Sequence, residues 1–406
     1  MFPLLPDPSW SGERTPLSER ALALERSAAA LGGLLPEATA RAIADHLRIA
    51  NAYYSNRIEG HDTRPGAIER ALREDLSEDS ALRNLQREAR AHVEVERLSE
   101  ARFPAGGSES PFSADGLAWI HREFYERVPA DFRYVEDPET GRREPVEPGG
   151  FRKFDVTVGR HVPPEPSEIP RFIARALDAY DPRRLYGLDK VIAFAASHHR
   201  LLWIHPFGDG NGRVVRLAST AYARAIGLGG MGLWSPSRGL ARRRDDYMAA
   251  LANADASRLS DTDGRGERSA RRLAEFVEFF LDVCFDQVEY MRSVLELEKF
   301  GDRLVAYAAL RDAGIAPGPG GRSMRKEAGP MLRSVALRGE IGRGELVSFA
   351  PAGNRIARGI LADLLEEGFL ASDSPRGSVR LAMPTHAVPY LLPGMYPEGV
   401  AVADTR

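Results

Sequence analysis

Residues 205–216 read HPFGDGNGRVVR, and they lie between two helical patterns that are apolar on nearly all sides. LDKVIAFAASHHRLLWI leads in and GRVVRLASTAYARAIG leads away. Helices of that kind have no face to give to water. The chain is therefore constrained to fold around a buried central pair with a glycine-rich turn at one end. Gly208, Gly210 and Gly212 let the backbone turn tightly and offer its N–H groups to an anion. The helix that follows adds the positive end of its dipole. Arg213 and Arg216 are three apart, share a helical face and supply two forks suited to phosphate oxygens. Asp209 is a hard oxygen ligand of the kind a magnesium ion bridging phosphates requires. His205 precedes Pro206, which pushes it out of the helix and towards the loop. The stretch reads as a nucleotide-phosphate site with a base at its edge.

A second pattern lies far upstream. Residues 48–60, RIANAYYSNRIEG, read as the end of a helix that opens near Pro36 and that Gly60 can terminate. Ser55 and Glu59 are four apart and share a face. Glu59 falls at the negative end of the helix dipole, where a carboxylate is unfavourable unless a cation offsets it. Arg216, beyond the glycine nest, is the cation expected to pair with it.

The rest of the chain reads as mainly helical. Thr15 and Pro16 give an N-cap and first position for a helix to about Gly32, and further helical patterns run near 66–75, 78–102 and 113–127. Residues 128–150, rich in Pro, Gly and charge, read as a loop or insertion. In FRKFDVTVGRHVPP, residues 151–164, Phe154, Val156 and Val158 alternate with Asp155, Thr157 and Gly159, which predicts an exposed hairpin. One helix is expected over SRGLARRRDDYMAALANAD, with ARRRDD solvated, and a long helical pattern runs from about Ser269 to Asp312. His198 and His199 are adjacent on a helix and point apart, so they read as structural histidines rather than a metal pair. GIAPGPGGRS ends the pattern and sets a domain boundary, leaving an N-terminal helical region over 1–110, a core over 111–313 and a tail over 322–390. The tail's order of short helix, turn, amphipathic helix and two short strands is similar to a winged helix. Its helix from about Asn354 to Glu367 carries Arg355 and Arg358 against Asp363, Glu366 and Glu367, a poor balance for phosphate contact. DNA binding is disfavoured on that ground, and an interaction or dimerisation module is expected.

Composition sets outer limits. The net charge of −3 over 406 residues argues against a dominantly electrostatic partnership with nucleic acid or an anionic membrane. Cys284 is the only cysteine, so neither an intramolecular disulfide nor a cysteine-based zinc cluster can form. The stretch MFPLLPDPSWSGERT lacks the pattern of a signal peptide, and no apolar run is long enough to span a membrane, so a cytoplasmic location is expected.

The loop at 205–216 resembles the signature of the Fic family (HPF, any residue, Asp or Glu, GNGR, two residues, Arg), with every defined position matched. The SNRIEG segment resembles the inhibitory motif of the same family, in the subclass that carries the inhibitory helix, here about 36–60, ahead of the core. The 151–164 hairpin resembles the family's flap, which holds the target beside the site as an added strand. The resemblance implies a Fic-type helical bundle with a β-hairpin flap, and a protein adenylyltransferase moving AMP from ATP to a Tyr, Thr or Ser hydroxyl of a target protein, which could be the chain itself. It assigns His205 as general base, Asp209 as the magnesium ligand, Gly208, Gly210, Asn211 and Gly212 to the anion nest and Arg213 and Arg216 to the distal phosphates. Tyr247 falls near the nucleotide base, or else is a core aromatic. Glycine at 212, where the family's phosphotransferase branch carries lysine, favours nucleotidyl transfer. Removal of AMP by the same site with Glu59 positioning water, and a nucleotide-sensing transcriptional regulator, stay open, as does the oligomeric state, a homodimer included.

Overall fold

The computed structural model describes Leu5 and residues 16–136, 141, 143–264, 266–316, 318–397 and 400. Thr15 and most of the N-terminal stretch lie outside them. Helix α1 (Pro16–Gly32) starts on its proline, and α2 (Glu37–Ile58) is followed by α3 (Pro65–Leu72) and α4 (Ser80–Arg102). The Asp79 side chain caps α4 by accepting from Leu82 N, and Ser113 caps α5 (Ala114–Glu126) by accepting from Gly116 N.

Residues 128–150 are not simply a loop. β1 (Tyr134–Glu136) pairs antiparallel with β2 (Arg143–Pro145). The Arg143 guanidinium lies 4.3 Å from the Tyr134 ring centre and bonds Glu136 at 2.8 Å, cross-strand pairs that charge-rich composition conceals. The hairpin expected at 151–164 forms only in part, with a single antiparallel bridge between Val158 and His161. Beyond that bridge the return strand meets Pro163 and Pro164, which have no N–H for a ladder, and the Arg152 guanidinium takes the carbonyls of Phe154 and Pro164 while also bonding that of His205.

Helix α6 (Ile169–Tyr180) leads to the buried pair α7 (Asp189–Ile204) and α8 (Asn211–Ala225). The helix expected over 237–255 is two, α9 (Pro236–Arg242) and α10 (Arg244–Ala254), broken where Arg243 takes φ −116° and ψ 39°. The pattern from Ser269 is also two, α11 (Ala270–Val294) and α12 (Leu297–Asp312). Ser269 caps α11 by accepting from Arg272 N. Cys284 is buried in α11 as a free thiol, its pKa raised by that burial.

The tail runs α13 (Ala328–Arg338), β3 (Glu340–Ile341), α14 (Arg343–Val347), α15 (Asn354–Glu366), β4 (Leu370–Ala371), β5 (Val379–Leu381) and α16 (Val388–Leu391). Its antiparallel sheet has the order β3-β5-β4. The tail packs on α2: Thr39 donates to the Ala336 carbonyl at 2.9 Å. The segment after α16 then crosses α2, where Tyr54 donates to the Met395 carbonyl at 2.5 Å and Tyr396 reaches His46 at 3.0 Å. Tyr396 packs its ring against Tyr53 and Tyr54. Arg238 donates to the carbonyls of Gly394 and Met395, fixing the same segment to α9. Helix α2 is thereby held between the central helices and the C-terminal segment. No helix among the described residues is long and apolar enough to cross a membrane.

Candidate active site

Two positions in the 205–210 turn take left-handed backbone. His205, the residue after α7, has φ 49° and ψ 61°, and Gly210 has φ 74°. A Cβ on Gly210 would lie 2.7 Å from the Tyr125 ring, so glycine is required there by backbone and by space. Asn211 clamps the turn: its Oδ1 accepts from Phe207 N at 3.0 Å and its Nδ2 donates to Phe207 O at 2.9 Å. Phe207 stacks on His121, ring centres 4.0 Å apart, and the Phe154 ring lies over Gly208.

His205 Nδ1 lies 3.3 Å from the Leu202 carbonyl. A carbonyl only accepts, so Nδ1 carries the proton and Nε2 keeps its lone pair. Burial lowers the His205 pKa to about 4, so the ring is neutral at pH 7. The residue borders a cavity of about 580 Å³. Gly212, Arg216, Glu59, Tyr247 and Val158 also line it. Asp209, Arg213, Gly208, Gly210 and Asn211 lie outside its walls. Tyr247 is both wall and core: it is buried, and its hydroxyl meets His198 Nε2 at 2.8 Å. His198 Nδ1 meets Ser219 at 2.8 Å, and His199, which also borders the cavity, meets the Leu251 carbonyl at 3.1 Å and Asp255 at 3.2 Å through Nε2, so both rings are held by protein groups.

Helix α2 ends at this cavity. Gly60 has φ 89°, and His61 N bonds the Asn56 carbonyl at 2.9 Å, closing the helix as its glycine predicts. Arg216 Nε donates to Ser55 Oγ at 2.9 Å and Nη2 donates to the Ser55 carbonyl at 3.1 Å. Nη2 also pairs with Glu59 Oε1. Burial works to raise the Glu59 pKa, but the Arg216 and Arg213 charges outweigh it and hold the carboxyl below the usual range. Glu59 presses against the turn, since a Cβ on Gly212 would overlap its carboxylate.

Arg213, which the resemblance assigns to the distal phosphates, is paired within the protein. One arm of its guanidinium pairs with Glu88 of α4 and the other donates to Asp209 Oδ2 at 3.0 Å. Asp209 Oδ2 also accepts from the Tyr125 hydroxyl at 2.5 Å. Burial acts to raise the Asp209 pKa, and Arg213 together with the Tyr125 hydrogen bond reverses it. A magnesium ion fits this donor: such ions take one or two carboxylates and complete their shell with water and phosphate oxygens. The Asp209 side chain keeps 47% of its exposure. Among the described residues no group of three or more His, Cys, Asp or Glu could hold a metal by itself.

Sequence reading missed Arg152, Tyr125 and Glu88. Each acts across a long separation: Arg152 to the His205 carbonyl, Tyr125 to Asp209, Glu88 to Arg213. Val158 is 44% exposed, while Phe154 and Val156 are half-buried.

A helical fold with a buried pair, a glycine turn and a histidine–arginine cavity defines a class, and comparison with known proteins names it. Residues 111–223 match the Fic/DOC family, so the chain carries a Fic domain. It is 39% identical over 77 residues to the protein adenylyltransferase Fic of Culex quinquefasciatus, covering 19% of this chain and 15% of that one. Against the protein of the same name from Nematostella vectensis it is 38% identical over 92 residues, covering 22% of this chain and 21% of that one. The chain thus spans about a fifth or less of the length of these curated relatives. A solved Fic family protein from Desulfovibrio desulfuricans G20 is similar in fold at a TM-score of 0.50 and 19% identity, over 91% of this chain and 97% of that one.

Proposed function

We propose that the chain is a protein adenylyltransferase that moves AMP from ATP to a hydroxyl side chain of a protein and is held back by Glu59. The observation that carries this reading is the free Nε2 of His205, bordering the same cavity as Arg216 and Gly212. His205 takes the proton of the attacking hydroxyl, which displaces pyrophosphate from the α-phosphorus. Magnesium, when bound at Asp209, supplies positive charge against the phosphates. Arg216 serves the distal phosphates once Glu59 leaves it. The half-formed flap, with Val158 on the cavity wall, is the element on which a target segment lies. The adenylyltransferase names of the relatives in Culex and Nematostella support the reaction class.

Transfer of label from α-labelled ATP to a lysate protein or to the chain itself tests the reading, and His205→Ala abolishes it. Label transfer that survives His205→Ala removes the assigned base, and transfer of γ-label instead makes the chain a phosphotransferase. Removal of AMP is the second reading, favoured by one observation: Glu59 and His205 border one cavity, where the acid could position a water. It requires that purified protein release AMP from a modified target and that Glu59→Gly lose that release.

We further read residues 322–390 as a winged-helix-like module, on the element order and the β3-β5-β4 sheet. The exposed face of α15 sets Arg355 and Arg358 beside Asp363 and Glu366, so the role is protein contact rather than DNA reading. Cytoplasmic residence accords with a lone cysteine, buried and unpaired.

A further inference from the structure

The site depends on a carboxylate that lies outside the signature. Glu88, on α4, is 9% exposed and faces Arg213 and His61. The Arg213 guanidinium stands between two acids, Glu88 on one arm and Asp209 on the other, and packs over the Phe124 ring. If Glu88 were absent, the planar fork would meet a single carboxylate, and a guanidinium beside a lone carboxylate settles into a two-bonded pair that occupies both oxygens. With Glu88 in place, Arg213 and the Tyr125 hydroxyl are both spent on Asp209 Oδ2. The other oxygen has no side-chain partner among the described residues, and besides those two groups the carboxylate takes a hydrogen bond from the Gly210 backbone, which leaves lone pairs open to a metal.

We propose that Glu88 and Tyr125 are positioning residues for Asp209: Glu88 draws Arg213 back, Tyr125 pins one carboxylate oxygen, and the second is presented to a divalent cation. This rests on the reading of Asp209 as the metal ligand. It also gives Arg213 a different duty from Arg216. Arg213 sets the acid, while Arg216, on the cavity wall, is the arginine for phosphate.

The test measures binding of Mn²⁺, as a paramagnetic probe, to the full-length Glu59→Gly protein with ATP, from the loss of the free-ion resonance signal beyond the loss caused by the same ATP without protein. Glu88→Gln and Tyr125→Phe are each expected to weaken Mn²⁺ binding by about 10- to 100-fold, the range for residues that orient a metal's ligand. ATP affinity without metal is expected to stay within about threefold of the parent, and the melting temperature of Tyr125→Phe close to it, since only a hydroxyl is lost. Unchanged Mn²⁺ affinity in Tyr125→Phe and in any folded Glu88→Gln overturns the proposal. A gain or loss of metal-free ATP affinity without a metal effect also overturns it, since Arg213 would then serve phosphate. If Glu88→Gln does not fold, Tyr125→Phe decides alone. Asp209→Asn separates the layers: if it leaves Mn²⁺ binding intact, the metal reading itself fails. If it abolishes binding while the two variants do not weaken it, only the positioning proposal fails.

Discussion

Arg216 holds three acceptors, the Ser55 hydroxyl, the Ser55 carbonyl and the Glu59 carboxylate, and each differs in what its loss would do. Only the carboxylate competes in charge with a phosphate. Glu59→Gly is expected to raise AMP transfer by about tenfold or more, consistent with the loss of one charge-assisted hydrogen bond, and Ser55→Ala to raise it less. Rates at saturating ATP, normalised to folded protein, check this, and equal rates for parent and Glu59→Gly would remove the inhibitory role. His205 carries the second prediction at this scale. With its pKa lowered to about 4 by burial, it stays in the base form through the neutral and mildly acid range. In the Glu59→Gly protein, kcat/KM should therefore stay within about twofold from pH 8 to about 5.5, whereas a base titrating at an ordinary imidazole value would lose about tenfold. A fall of that size would show that the ring is not the buried base described here.

Helices were legible because their signals are local. Pro16 opening α1, Ser113 capping α5 and Gly60 closing α2 act within a turn of where they stand. The breaks at Arg243 and near Leu295 have no proline or glycine to announce them, so the pattern reads through. The signature loop was legible residue by residue, yet Arg213's ion pair was not, because Glu88 lies 125 positions away with no pattern linking the two. The flap shows the same limit in part: alternation in 151–158 predicts strand, but the ladder stops after one bridge, where Pro163 and Pro164 have no N–H and Arg152 takes two of the carbonyls. Arg152 joins the flap to the His205 carbonyl, so Arg152→Ala should loosen the flap and leave the base in place. The expected outcome is a KM for the protein target raised about fivefold or more, with a smaller change in KM for ATP and a stability loss of about 1–3 kcal/mol. Equal effects on both KM values would mean that the arginine serves the loop as a whole.

Across the whole molecule, burial has left several histidines neutral. Burial lowers His46 and His205 to about 4 and His92 and His121 to about 3. In the unfolded chain these rings titrate near 6.5, so between that value and about 4 the unfolded state binds more protons. Stability is full above about pH 6.5 and declines as the pH falls, at up to about 1.4 kcal/mol per pH unit for each such ring. Denaturant midpoints at pH 7.5, 6 and 5 check the sign, and a midpoint that rises on acidification would contradict it. One contact also joins parts of the chain that are far apart in sequence. Tyr54, on the helix that carries Glu59, donates to a carbonyl 341 positions later. A ribosome adding about 5–20 residues per second needs roughly 17–70 s to make that stretch. During synthesis the face of this helix that meets the segment around Met395 therefore stays uncovered after residues 205–216 have emerged.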